Sequence, residues 1–138
     1  MSPAERVLVV DDQSEILELT ATVLSSAGLA VETASSGLDA LRKLAAREFD
    51  LVLLDINMPS MDGWETLRLI RADDRHEDLP VVMFSVKGEV SDQVHSLQEG
   101  ASAYITKPFV VDELVGRLRR VLAQSPRRDR TDSSAGGA

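Results

Sequence analysis

Leu51-Val52-Leu53-Leu54-Asp55 is an unbroken apolar run closed by a carboxylate. A run with apolar residues at both odd and even positions suits a strand covered on both faces, as in a parallel sheet. The same design recurs on either side. Val7-Leu8-Val9-Val10 ends on Asp11-Asp12, Val81-Val82-Met83-Phe84 ends on Ser85, and Tyr104-Ile105-Thr106 runs into Lys107. If these runs are parallel strands of one sheet, the five polar side chains gather at its carboxyl edge, where open α/β sheets bind their ligands.

Between the runs lie amphipathic segments of helical length. Residues 14–27 carry Ile16, Leu17, Thr20, Val23 and Leu24 at helical spacing, with Gly28 placed to end the helix. Residues 30–33 read as a short strand, and 38–46 as a helix with Leu38, Leu41 and Leu44 on one face. Further helices are expected over 63–72, 90–99 (ended by Gly100) and 111–123, and the last strand over 103–105. Five strand–helix units in strict alternation imply an α/β fold with right-handed crossovers and helices on both faces of a parallel sheet. The expected architecture is a doubly wound (βα)5 sandwich of strand order 2-1-3-4-5, whose switch point lies between strands 1 and 3. Those are the strands that carry Asp11, Asp12 and Asp55.

At 138 residues the chain suits one domain, expected over 1–124. Residues 125–138 contain no large apolar side chain and are rich in Ser, Gly and charge, so a disordered tail or linker stub is expected there. The absence of Cys excludes disulfides and thiolate metal sites. No apolar stretch approaches the roughly 20 residues a membrane helix needs. The opening Met1-Ser2-Pro3-Ala4-Glu5-Arg6 has no secretory h-region, so no membrane partner and a cytoplasmic location are expected. A net charge of −8 argues against direct nucleic-acid binding, which needs clustered Lys and Arg.

Three carboxylates at one sheet edge are costly. Two unit charges about 4 Å apart repel by roughly 4 kcal/mol at an effective dielectric near 20. Such a cluster persists by taking up protons or a cation, and an all-oxygen set without His or Cys suits Mg²⁺. A strand-end carboxylate can also act as a nucleophile toward phosphorus, giving an aspartyl phosphate. Phosphoryl transfer asks mainly for positioning and charge neutralisation. Lys107 offers a point charge to one phosphoryl oxygen and the Ser85 hydroxyl a hydrogen bond to another.

The acidic pair, Asp55 followed by Met58-Pro59-Ser60-Met61-Asp62-Gly63, Ser85, and Gly100-Ala101-Ser102-Ala103-Tyr104-Ile105-Thr106-Lys107-Pro108-Phe109 together resemble the receiver domain of two-component response regulators. The resemblance covers about residues 5 to 124 and implies a flavodoxin-like fold. It implies that Asp55 accepts a phosphoryl group from a sensor histidine kinase or histidine phosphotransfer protein. It implies Mg²⁺ held by Asp12, by Asp55, by the Asn57 backbone carbonyl and, through water, by Asp11. Lys107 and Ser85 would contact the phosphoryl group, and the Lys107–Pro108 peptide would be cis. Tyr104 would be the switch aromatic, turning inward as Ser85 moves toward the phosphate. The switched face would comprise residues 90–99, Tyr104 and 112–120, acting on a downstream protein target or a fused output domain. Phosphorylation-dependent homodimerisation through that face is compatible with the resemblance, but no residue establishes it. Catalysis would be limited to the domain's own phosphorylation and dephosphorylation.

Two positions depart from the commonest family pattern. Val86 follows the switch hydroxyl where Ala or Gly is usual, and its branched side chain is expected to crowd the phosphate and slow phosphotransfer, self-dephosphorylation or both. Lys87 lies two beyond Ser85 and Asn57 two beyond Asp55, both within reach of the hydrolytic water, and Lys87 lacks the acidic or amide group that orients it. His76 and His95 have no ligand partner at useful spacing and are expected at the surface. Trp64, Met58 and Met61 are expected to pack. A haloacid-dehalogenase-type phosphatase would want Asp-x-Asp where this chain has Asp55-Ile56-Asn57. A flavodoxin-like electron carrier would want a Ser/Thr/Gly-rich loop where it has Asp11-Asp12-Gln13. A receiver-like module that binds its partner constitutively is the remaining alternative.

Overall fold

In the computed structural model, the described residues are 4–85, 95, 97–107 and 109–125. Five strands, β1 (Arg6–Val10), β2 (Ala30–Ala34), β3 (Leu51–Asp55), β4 (Val81–Ser85) and β5 (Ala103–Thr106), alternate with helices. These are α1 (Ser14–Ser26), α2 (Gly37–Ala46), α3 (Gly63–Ala72) with a short 3-10 turn at Asp74–His76, and α4 (Val111–Ala123). All strand pairs are parallel, in the order β2-β1-β3-β4-β5. This is the order expected from the sequence, with the switch point between β1 and β3.

The two faces of the sheet divide the apolar runs by parity. Leu8, Val10, Val52, Leu54, Val81 and Met83 pack under α2 and α3 with Ala40, Leu44, Leu67 and Ile70. Val7, Val9, Leu51, Leu53, Val82 and Phe84 pack on the other side with Leu24 of α1 and Leu114, Leu118 and Leu122 of α4. Each such side chain contributes about 1.5–3 kcal/mol through burial. β3 and β4 are buried at every position because they lie inside the sheet and beneath both helical layers.

Local chemistry sets the helix ends. Ser36 accepts from the Asp39 N–H and Asp62 from the Glu65 N–H, capping α2 and α3. Gly28, with φ +92°, closes α1 as expected. Trp64 and Met58 both pack against the α2–α3 core.

Two expectations are corrected. Leu38 is 56% exposed rather than inward. The buried line of α2 runs through Gly37, Ala40 and Leu44, so a helix starting at Gly37 turns Leu38 to solvent. His76 is buried rather than at the surface, in the 3-10 turn after α3, with Nδ1 3.6 Å from Asp73. His95 meets Trp64 edge to face.

Of the helix expected over 90–99, His95, Leu97 and Gln98 are helical, and the Glu99 N–H donates to the His95 carbonyl. The remainder of that helix, Val86, Lys87, the Lys107–Pro108 peptide and residues 126–138 lie outside the described residues. Ser125 is buried against the end of α4, its N–H donating to the Leu122 carbonyl. Among the described residues, no helix is long and apolar enough to cross a membrane.

Candidate functional site

β1 and β3 place Asp11, Asp12 and Asp55 side by side at the carboxyl edge. One carboxylate oxygen from each lies within 4.8 Å of the others. Asp11 and Asp55 are buried, and Asp12 is exposed at the mouth. Lys107, just past β5, reaches in with Nζ 2.6 Å from Asp11 Oδ2 and 3.6 Å from Asp55 Oδ1. The ammonium also stands 4.8 Å from the centroid of the Phe84 ring, an apolar wall that strengthens its pairing with the carboxylates. At the end of β4 the Ser85 hydroxyl accepts a long hydrogen bond of 3.5 Å from the Asn57 side-chain amide. The five residues picked out by their position after apolar runs therefore meet in one pocket, with Asn57 at its rim.

The loop after β3 is folded tightly around the Asp55 end of the strand. The Asn57 N–H points to Asp55 Oδ1 at 3.4 Å, and the Gly63 N–H donates to the Ile56 carbonyl at 2.8 Å. A Cβ on Gly63 would lie 2.3 Å from the Asp55 carbonyl oxygen and 2.7 Å from Ile56 Cα, so only glycine allows α3 to start this close to the site. On the other side, the Gln13 N–H donates to Asp11 Oδ1 at 3.0 Å and fixes that carboxylate.

Burial pushes the Asp55 carboxyl up to about 6. Lys107 opposes that rise, Asp11 and Asp12 add to it, and the Asn57 N–H works against it. The residual cost of ionising Asp55 measures how strongly this pocket seeks positive charge. A hard divalent ion suits a set made only of carboxylate and carbonyl oxygens. Asp11, Asp12 and Asp55 can together hold a metal ion.

The family model of the response regulator receiver domain matches residues 7–119. The chain belongs to this family. This receiver is 43% identical over 117 residues to the transcriptional regulatory protein PrrA of Mycobacterium tuberculosis, covering 85% of this chain and 49% of that protein. It is 42% identical to the CpxR homolog of Haemophilus influenzae, covering 87% of this chain and 51% of that one. The receiver thus spans about half the length of the curated relatives it matches. Among solved structures, the chemotaxis protein CheY4 of Vibrio cholerae superposes with a TM-score of 0.82 at 32% identity, covering 86% of this chain and 98% of that one. The receiver domain of NtrX from Brucella abortus does so with a TM-score of 0.80 at 37% identity, covering 86% and 99%. Family membership sets aside the dehalogenase and electron-carrier alternatives.

Tyr104 is buried on the α2–α3 side of β5, an inward position. Three contributors to the site have roles that sequence motifs alone do not assign. Phe84 walls the lysine, Gly63 permits the close start of α3, and Gln13 fixes Asp11 through its backbone. Gly63 is visible inside the Met-Pro-x-Met-Asp-Gly motif. Phe84 carries no signal beyond its place in an apolar strand, and a backbone donor carries none in its side chain.

Proposed function

We propose that this receiver is a phosphorylation-activated switch in which Asp55 is the phosphoacceptor. The observation that carries the proposal is the buried Asp55 carboxylate, held beside two further carboxylates and facing Lys107 at 3.6 Å. An Asp55 oxygen attacks the phosphorus of a phosphohistidine on a sensor kinase or phosphotransfer protein. The new P–O bond forms as the P–N bond breaks, and the imidazole leaves. Asp12, Asp55 and the Asn57 carbonyl would hold Mg²⁺, with Asp11 acting through water. The ion supplies charge neutralisation for the incoming phosphoryl oxygens. Lys107 steadies another oxygen and Ser85 donates to a third.

The phosphoryl group adds negative charge to a pocket already rich in it, so it draws Lys107 and Ser85 toward Asp55. Ser85 then gives up its contact with Asn57; Tyr104, expected to turn inward at this step, is already inward. The face formed by residues 90–99, Tyr104 and α4 then engages a downstream protein or an attached output domain. Relatives about twice this length, named as transcriptional regulators, support an output module as the recipient.

The test compares wild type with Asp55→Asn in Mg²⁺ and a small phosphodonor, or beryllofluoride. Wild type is expected to take up one phosphoryl group per chain and Asp55→Asn none. A wild type without label would end the proposal. Identical partner binding by both proteins, labelled or not, would favour the constitutive module.

A further inference from the structure

One face of α3 carries a row of side chains toward the segment that leads into β5. Trp64 meets His95 with ring centroids 4.3 Å apart at 78°. Arg68 reaches Glu99 at 3.6 Å, and Glu99 in turn lies 3.9 Å from His95 Nε2. Arg71 donates to the Gly100 carbonyl through Nε at 3.0 Å and Nη2 at 2.8 Å, and through Nη1 to the His76 carbonyl at 2.9 Å. The spacing i, i+4, i+7 aligns the three on one stripe of the helix. The contacts are unequal. The Arg68–Glu99 pair is half exposed and contributes little. The two-pronged guanidinium contact to one carbonyl is charge-assisted and directional. Gly100 is fitted to it: φ is +102°, and a Cβ would lie 3.2 Å from Arg71 Nε.

Neighbouring backbone is tied down as well. The Ser102 N–H donates to the Val81 carbonyl at 2.7 Å, and the Val81 N–H to Ser102 Oγ at 3.3 Å. The Lys107 N–H donates to the Ser85 carbonyl at 2.7 Å. α3 itself begins at Gly63, bonded to the loop after Asp55. One rigid helix therefore touches the acceptor loop at its first turn and grips Gly100 at its last.

We propose that Arg71 is a positioning residue for the switch: it pins Gly100 to α3, so that the displacement of Ser85 on phosphorylation is delivered to His95 against Trp64. The proposal rests on the phosphoacceptor role of Asp55. With Gly100 held, movement that starts at Ser85 cannot be relieved by sliding residues 97–100 along α3. It is taken up where the contacts are weak, at the Trp64–His95 and Arg68–Glu99 pairs. Without the clamp, the same chemistry at Asp55 would leave His95 where it is.

Trp64 is the only tryptophan of the chain, so its emission reports the contact directly. In saturating Mg²⁺, beryllofluoride is added to wild type, Arg71→Gln, Arg71→Lys and His95→Leu while emission and half-saturation are read. Wild type is expected to give a clear emission step. Arg71→Gln should lose at least half of that step while its half-saturation and its phosphoryl lifetime stay within threefold of wild type. Arg71→Lys, with one prong, should fall between them, and His95→Leu should abolish the step. A full wild-type step in Arg71→Gln, with only its urea midpoint lowered, would reduce Arg71 to a structural brace and overturn the proposal. If Arg71→Gln does not fold, a full step in Arg71→Lys overturns it equally. A wild type that binds no beryllofluoride marks failure at Asp55 instead, and the two failures are distinguishable.

Discussion

Lys107 is bonded to Asp11 at 2.6 Å, while Asp55 stands at 3.6 Å from the same ammonium. One cation thus serves two buried carboxylates and sits closer to Asp11 than to the proposed phosphoacceptor. Removing a single partner of a buried ionic group leaves charge uncompensated, which costs roughly 3–5 kcal/mol. Lys107→Ala is therefore expected to lower stability without metal by about 2–4 kcal/mol, the lower figures reflecting proton uptake by Asp55. Mg²⁺ should restore most of the loss and should bind the variant more tightly than wild type, because Asp11 is released. Urea unfolding with and without Mg²⁺ measures both. Equal midpoints in the two conditions would contradict the competition.

The raised Asp55 carboxyl makes a separate prediction with a definite sign. The unfolded chain releases this proton near 3.8, the folded protein only at about 6. Between these values the folded state holds more protons, so stability falls as pH rises through that window and stays low above it. At 1.36 kcal/mol per unit, the ionised carboxylate costs on the order of 2–3 kcal/mol at pH 7.5. Asp55→Asn should therefore be more stable than wild type by about that amount at pH 7.5 and equally stable near pH 3.5. Mg²⁺ should shrink the difference. Denaturation of both proteins across this pH range decides it. A constant offset between them would show that the ionisation of Asp55 is not its source.

Much of this pocket is legible in the amino-acid sequence. A strand covered on both faces must be apolar throughout, so Asp55, Ser85 and the Asp11–Asp12 pair stand out where the runs end, and parallel order puts them on one edge. Lys107 is readable in the same way. The parts that escape depend on contacts between distant segments. Arg71 looks like any arginine near a helix end, and nothing beside it names Gly100 as its acceptor. His76 has no neighbouring pattern, because its burial follows from how the 3-10 turn tucks after α3. A stripe drawn through leucines alone puts Leu38 inward because it ignores Gly37 and Ala40, the small residues that let α2 approach.

Two glycines should respond in opposite directions. At Gly63 a Cβ would lie 2.3 Å from the Asp55 carbonyl, and backbone cannot yield as a flexible side chain can. Gly63→Ala is expected to cost about 2–4 kcal/mol and to slow phosphoryl uptake, since the loop that carries Asn57 must shift. At Gly116, inside α4, a Cβ meets nothing within 4 Å. Gly116→Ala should stabilise by about 0.5–1 kcal/mol through helix propensity alone, with no change in phosphoryl uptake. Urea midpoints and labelling rates for the two variants give the comparison. A harmless Gly63→Ala would mean that the loop after Asp55 is looser than its contacts imply.

Asn57 donates to Ser85 Oγ across 3.5 Å, a contact that the proposed turn of Ser85 to a phosphoryl oxygen would break. A side-chain hydrogen bond contributes about 0.5–1.5 kcal/mol net, and one this long belongs at the low end. Removing it therefore favours the switched arrangement. Asn57→Ala is expected to bind beryllofluoride about twofold to fivefold more tightly in Mg²⁺, as a bond of that strength implies. Its urea midpoint should change little, because the amide is at the rim of the pocket. Ser85→Ala should bind more weakly than wild type, and Asn57→Ala should add nothing to it in the double variant, since both effects pass through the same hydroxyl. Additive effects of the two substitutions would mean that Asn57 acts on the phosphoryl site by another route.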